Sequence, residues 1–387
     1  MNTALTGATV YVSPNEKPIR NGVVVIEGSR IQAVGDPASV RVPEHATTID
    51  CSGMVIVAGF WNSHVHFFER KWTNAGTIPA DELGRQLHDM FGRFGFTSVF
   101  DLSSPWENTR QIRDRINSGE VSGPRIRSTG MAILPPSPWL PPDSLLDFMG
   151  VMKIPLTVVA DAEETAALAR ARLDDGVDGI KLFMSTPSKS TMPLNAIEAA
   201  ANEAHRAGKP LFAHPNTGAD VLYALQGGVD VVAHTTPHSG PWDEAILREI
   251  QRRHAAITPT LAIWKYFARH DRISGQDRIA GTEAGQLRAW IDAGGTVLFG
   301  SDIGALEYDP ADEYALMSAA GMTFPQILAS LTTTPAERFG ESQRLGRVAP
   351  GFEADLVVLK EDPALHPEAL TRVQYTVQAG RLIHPFH

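Results

Sequence analysis

The sequence predicts an α/β protein: a (β/α)8 barrel carrying a small β-sandwich domain assembled from both termini. Eight short apolar runs alternate with amphipathic segments through the middle of the 387-residue chain. That order builds a closed parallel sheet ringed by helices. The two ends share a different pattern of short strands and tight turns, and they resemble each other more than either resembles the middle.

The N-terminal part reads ATVYV, then Gly22 and VVVIEGSRIQAVG, where EGS marks a turn. The C-terminal part reads GRVAPGFEADLVVLK and then VQYTVQAGRLI. Residues 1–53 and 342–387 are therefore expected to form one composite domain, with residues 54–341 as the barrel. The first apolar run, MVIVAGF (54–60), has the Val/Ile content and length of a fully buried strand. TSVFDL (97–102), RIRSTG (125–130), DGIKLFM (178–184), PLFAH (210–214), DVVAH (230–234), AAITPTLAI (255–263) and TVLFGSD (296–302) follow it. EETAALARARLDDG and NAIEAAANEAHRAG between them read as helices, the second stopped by glycine.

An open doubly wound sheet is the alternative, but no GxGxxG or P-loop follows a strand. PPSPWLPPD (135–143) holds too many prolines for a helix or inner strand and is expected to be a stiff loop.

Composition narrows the class of protein. A net charge of -10 argues against nucleic-acid and anionic-membrane partners. No apolar run approaches the ~18 residues of a membrane span, and MNTALTGATVYVSPNE lacks the layout of a secretory signal. A cytoplasmic protein acting on a small molecule is expected, and a homo-oligomer is compatible with the sequence. Cys51 is the only cysteine, so no intrachain disulfide forms, and it sits far from the strand ends where a barrel places its chemistry.

Those strand ends hold the chemistry-bearing residues. FWNSHVHFF sets His64 and His66 two positions apart, on one face of a strand. Lys181 lies at the fourth strand, His214 ends the fifth, His234 the sixth, and Asp302 the eighth. In a barrel these six share one rim, and neutral imidazole is the commonest metal ligand.

AGFWNSHVHF (58–67), GVDGIKLF (176–183), PLFAHPNT (210–217), GGVDVVAHTT (227–236) and VLFGSD (297–302) together resemble the amidohydrolase superfamily. SRIQAVG (29–35) and PGFEADLVVL (350–359) extend the resemblance to nearly the whole chain. Within the superfamily it is most similar to imidazolonepropionase-like hydrolases and to metal-dependent dipeptidases that use a lysine after the fourth strand. Two departures stand out: Ala58-Gly59 replaces the usual Pro-Gly, and Ser63 the usual Asp before His-x-His. Neither removes a ligand.

The resemblance implies a binuclear centre of two divalent ions, zinc foremost. His64, His66 and Asp302 would hold one ion, His214 and His234 the other, and Lys181, carboxylated by CO2 to a carbamate, would bridge them. A plain lysine would be a cation beside two dications, which carboxylation cures. The implied reaction is hydrolysis of an amide, lactam, carbamate or dipeptide bond by a hydroxide shared between the ions, with Asp302 as proton shuttle.

The alternatives are a mononuclear deaminase, a lactone or ester hydrolase, and a non-catalytic metal-binding barrel. The deaminases carry a Glu three residues after the fifth-strand His, where this chain has Thr217. Trp72, Trp106, Trp139, Trp242 and Trp264 follow strands one, two, three, six and seven. With His238 and Tyr266 they are the candidate contacts to a hydrophobic or aromatic substrate. Arg70, Lys71 and Lys265 are candidates for a substrate carboxylate.

Overall fold

The computed structural model describes residues 2–136, 152, 157–185, 190–270, 281–304 and 309–385. Trp139 and most of the proline-rich loop lie outside these residues. The chain begins with β1 (Asn2–Val10), β2 (Ile19–Glu27), β3 (Arg30–Gly35), β4 (Thr47–Asp50) and β5 (Val55–Ala58). It ends with β16 (Leu356–Leu359), β17 (Val373–Gln378) and β18 (Arg381–His384). These eight strands form one sheet in the order β18-β17-β16-β5-β1-β2-β3, with β4 beside β1.

The small β domain expected from both termini is thus one continuous hydrogen-bonded sheet. Leu5, Val24, Ile26, Ile31, Ile56, Leu356, Val358 and Val377 from along its length meet in one core, so the sheet curls around that core. The EGS turn is where the sequence puts it: Glu27 pairs with Arg30 around Gly28, whose φ of 59° suits glycine.

One strand assignment is corrected. Residues 55–60 of the run are buried, but Val55–Ala58 pairs with β1 and β16 in the terminal sheet. The barrel instead starts at β6 (Phe60–Val65). Both sheets bury such a strand on two faces, and a continuous apolar run reads the same in either. Gly59 makes the junction: an added Cβ would sit 2.3 Å from Thr97 Oγ1.

The barrel continues with β7 (Phe96–Asp101), β8 (Arg125–Ser128), β9 (Ile133–Leu134), β10 (Thr157–Val158) and β11 (Ile180–Phe183). Next come β12 (Leu211–His214), β13 (Val231–Ala233), β14 (Ala256–Thr258) and β15 (Thr296–Val297). β6, β7 and β8 pair in parallel, and β9 and β11 through β15 form a second parallel set. Ser63 N to Phe299 O at 2.7 Å and Asp302 N to His64 O at 2.8 Å close the ring after β15. Asp178 N to Ser128 O at 2.7 Å joins the two sets on the other side.

Helices Ala162–Asp174 and Leu194–Arg206 occupy the expected segments, the second halted at Gly208 with φ 65°. Trp61, Phe100, Phe212 and Leu298 fill the lower barrel and pack on Phe339. The base is plugged by aromatic rings, which leaves the opposite mouth for chemistry. Arg125 and Arg127 of β8 tie the base to the C-terminal segment through Glu353, Asp355 and Glu341. Among the described residues no helix is long and apolar enough to cross a membrane.

Candidate active site

Local backbone geometry explains why the strand ends converge. Pairing of β6 with β7 slips between Asn62 and Val65, so the strand bends just where its histidines emerge. Asn62 locks it to the segment after β15: its Nδ2 donates to Ser301 Oγ at 2.6 Å, and Ser301 N donates back to Asn62 Oδ1 at 3.1 Å. His66 N to Ile303 O at 2.8 Å continues the seam. Asp302 has φ 56° and His234 φ 74°, left-handed conformations that non-glycine residues rarely adopt and that cluster at functional sites.

The side chains then meet. Asp302 Oδ1 lies 2.7 Å from His66 Nε2 and 3.2 Å from His64 Nε2. The His64 ring centre is 4.7 Å from that of His234, which is 4.6 Å from that of His214. His64, His234 and Asp302 each offer a ligand atom, all within 4.8 Å of one another. Bonds of ~2.0–2.2 Å place two ligands of one ion at most ~4.4 Å apart, so these three side chains lie close to a ligating arrangement and need only a small inward shift to share an ion.

Lys181 is the second residue of β11 and not its last, yet it is only 1% exposed. Its Nζ has no hydrogen-bond partner. Neither has the buried Nδ1 of His66.

Burial sets the electrostatics. It pushes His64 and His214 down to about 3 and His234 well below the usual imidazole value, so these rings are neutral at pH 7. It also lowers Lys181 to about 7, opposed by Asp302. Burial works against the Asp302 carboxylate, but His64 and His66 outweigh it and hold the group well below the ordinary range.

Two ring orientations are fixed by residues the sequence reading missed. His64 Nδ1 is 3.2 Å from Thr258 Oγ1, and His234 Nδ1 is 2.6 Å from Thr260 Oγ1. Such contacts to the distal nitrogen free the other for a ligand. Both threonines lie in the run ITPT (257–260), Thr258 ending the seventh barrel strand and Thr260 just past it, where threonine reads as ordinary strand content.

The aromatic candidates separate. Trp72 is fully buried against Phe67 and donates to Glu69, and Trp242 is buried against Trp290 and donates to Thr236 Oγ1. Trp106 is covered by Arg113 and donates to Asp175 O. These three indoles serve packing, which corrects their expected place in a substrate pocket. Trp264 differs: it donates to Thr235 Oγ1, beside His234, and the exposed His238 meets its ring edge-on at 5.7 Å. Tyr266 sits on the same helix, Leu261–His270, half-buried. Lys71 and Lys265 are paired with Glu69 and Asp312.

A closed (β/α)8 barrel with imidazoles, a carboxylate and a buried lysine at its mouth is the architecture of a hydrolase. The chain matches the Amidohydrolase family over residues 55–383 and belongs to it, so it is a hydrolase acting on carbon–nitrogen bonds. Ochratoxinase of Aspergillus niger is 23% identical, covering 95% of this chain and 84% of the relative. A prolidase solved with N-methylphosphonate-L-proline superposes with a TM-score of 0.79 at 26% identity over 99% of each chain. A Xaa-Pro dipeptidase with methionine in its active site gives 0.82 at 20% identity, again over 99% of each, and shares the fold.

Proposed function

We propose that the chain is a binuclear metal-dependent hydrolase of a small amide-type substrate with a hydrophobic or aromatic group. His64, His66 and Asp302 would hold one divalent ion, His214 and His234 the other, and Lys181, carboxylated at Nζ, would bridge the pair. The observation that carries this is the Lys181 amine, buried without a partner and lowered by burial to about 7 within electrostatic reach of His64, His214, His234 and Asp302. An unpartnered buried amine costs stability. As a neutral nucleophile it can form an N–C bond to CO2, losing one proton and leaving an anion where a bridging ligand is needed.

The nitrogen and oxygen donor set suits zinc. Two divalent ions held here would activate a water and polarise the substrate carbonyl. The chain's own residues do the rest. Burial keeps the imidazole lone pairs available, and Thr258 and Thr260 orient the rings. Asp302 takes a proton on its carboxylate and passes it to the leaving nitrogen.

The names of the relatives, a prolidase, a Xaa-Pro dipeptidase and an ochratoxinase, support an amide-type bond. Trp264, with His238 across its edge, supports an aromatic or apolar group near His234. No feature favours the deaminase: Thr217 caps the helix Gly218–Gln226 in a reciprocal box with Asp220.

Asp302→Asn tests the reading. On dipeptides and N-acyl amino acids bearing an aromatic group, with zinc supplied, kcat should fall at least about 100-fold. The melting temperature should hold. Undiminished kcat would overturn the role given to Asp302.

A further inference from the structure

Glu313 is fully buried on the helix Ala311–Ala319, and the steps above do not use it. Its Oε1 accepts from Leu261 N at 2.9 Å and its Oε2 from Ala262 N at 2.7 Å. These are the first N–H groups of the helix Leu261–His270, which no carbonyl of that helix can serve. Next to Glu313, Asp312 Oδ1 meets Lys265 Nζ of the same helix at 2.5 Å. Two consecutive acids thus grip one helical turn from outside it.

The residue just before that turn is strained. Thr260 has φ 47°, a conformation that β-branched residues avoid and that persists only where the surroundings enforce it. Its hydroxyl donates to Pro259 O at 2.8 Å. Having given its one proton there, it accepts from His234 Nδ1 at 2.6 Å. The proton of His234 is thereby fixed on Nδ1, which leaves Nε2 free to bind a metal.

We propose that Glu313 is a positioning residue for the metal centre: by holding Leu261 N and Ala262 N it keeps Thr260 in the left-handed conformation that aims its hydroxyl at His234. The chain of contacts runs from a carboxylate on one outer helix to an imidazole at the barrel mouth. The inference rests on the reading of His234 as a metal ligand.

The test is a double-mutant cycle with Zn(II) as the probe, read by chelator competition, by kcat and KM, and by melting temperature. Burial pushes Glu313 up to about 8, so work at pH 8.5 to 9 keeps most of it ionised. Glu313→Gln preserves the volume but turns one acceptor into a donor facing an N–H, and Thr260→Val removes the hydroxyl. Each should weaken Zn(II) binding by about 10- to 100-fold, the range for lost partners of metal ligands. Because both break the same chain, the double variant should bind about as well as the weaker single variant. Thr260→Ser should retain wild-type binding, and Glu313→Asp, one methylene shorter, gives a milder perturbation should Glu313→Gln not fold.

A Glu313 variant that melts earlier yet binds Zn(II) and turns over like wild type would overturn the proposal, as would additive losses in the double variant. Failure of the wild-type protein to bind Zn(II) would overturn the reading of the site itself, and the inference with it.

Discussion

Gly300→Ala probes the packing of the barrel mouth directly. A Cβ at this position would stand 2.8 Å from His64 Cβ, 2.9 Å from Thr258 Cβ and 3.3 Å from Thr258 Cγ2. Carbon atoms pack at ~3.5–4.0 Å, so the two shortest contacts fall short by roughly 0.6–1.2 Å. Neither is the free end of a long side chain. Relief therefore requires β6 or β14 to move, carrying His64 or its Thr258 partner along. Overpacking of this kind costs about 1–3 kcal/mol, and an ångström of displacement at a reacting centre can cost ~100-fold in rate. The expected result is a lower melting temperature, weaker zinc binding and kcat/KM reduced about 10- to 100-fold. Gly285→Ala is the matched control, because it lies in the helix Thr282–Asp292 with no atom within 4 Å of an added Cβ. It should gain about 0.5–1 kcal/mol at unchanged activity. Wild-type zinc binding and turnover in Gly300→Ala would refute the inferred pressure on His64.

Lys181→Met replaces a buried, unpartnered amine with an apolar chain of similar length. The melting temperature should hold or rise while activity collapses by more than about 100-fold; retained activity would remove Lys181 from the mechanism. A pH prediction follows from Asp101, which burial pushes up to about 6 against its ordinary 3.8, opposed by His66 and by the hydroxyls of Ser104, Ser128 and Thr109. Between those values the folded protein holds a proton that the unfolded chain has released, so this contribution to stability is lost as pH rises from 3.8 to 6. In metal-free protein, urea midpoints of wild type relative to Asp101→Asn should decline over that window and level off above it. Parallel curves would show that Asp101 does not titrate there.

The barrel was legible because its strands are short apolar runs that alternate with amphipathic segments, and the rim because histidines ended those runs. What stayed hidden was decided by tertiary partners. MVIVAGF reads as a buried strand, and it is one, but the choice of sheet belongs to β1 and β16, which lie distant in sequence. Trp72, Trp106 and Trp242 all follow strands, and only their neighbours show that their rings are used for packing. His384 lies near the end of the chain, and only the fold brings its Nδ1 to His88 Nε2 at 2.8 Å. Thr258, Thr260 and Glu313 gave no signal, since threonine in a strand and glutamate in a helix are the commonest of readings. Their contacts exist only once the fold sets β14 against β13 and the helix Ala311–Ala319 against the start of the helix Leu261–His270.

The most direct test of the metal centre is elemental analysis of protein purified without chelators and reconstituted with zinc and bicarbonate. The expected result is about two divalent ions per chain, as a bridged binuclear site requires. One ion per chain would contradict the bridging role of Lys181, and none would contradict the centre altogether.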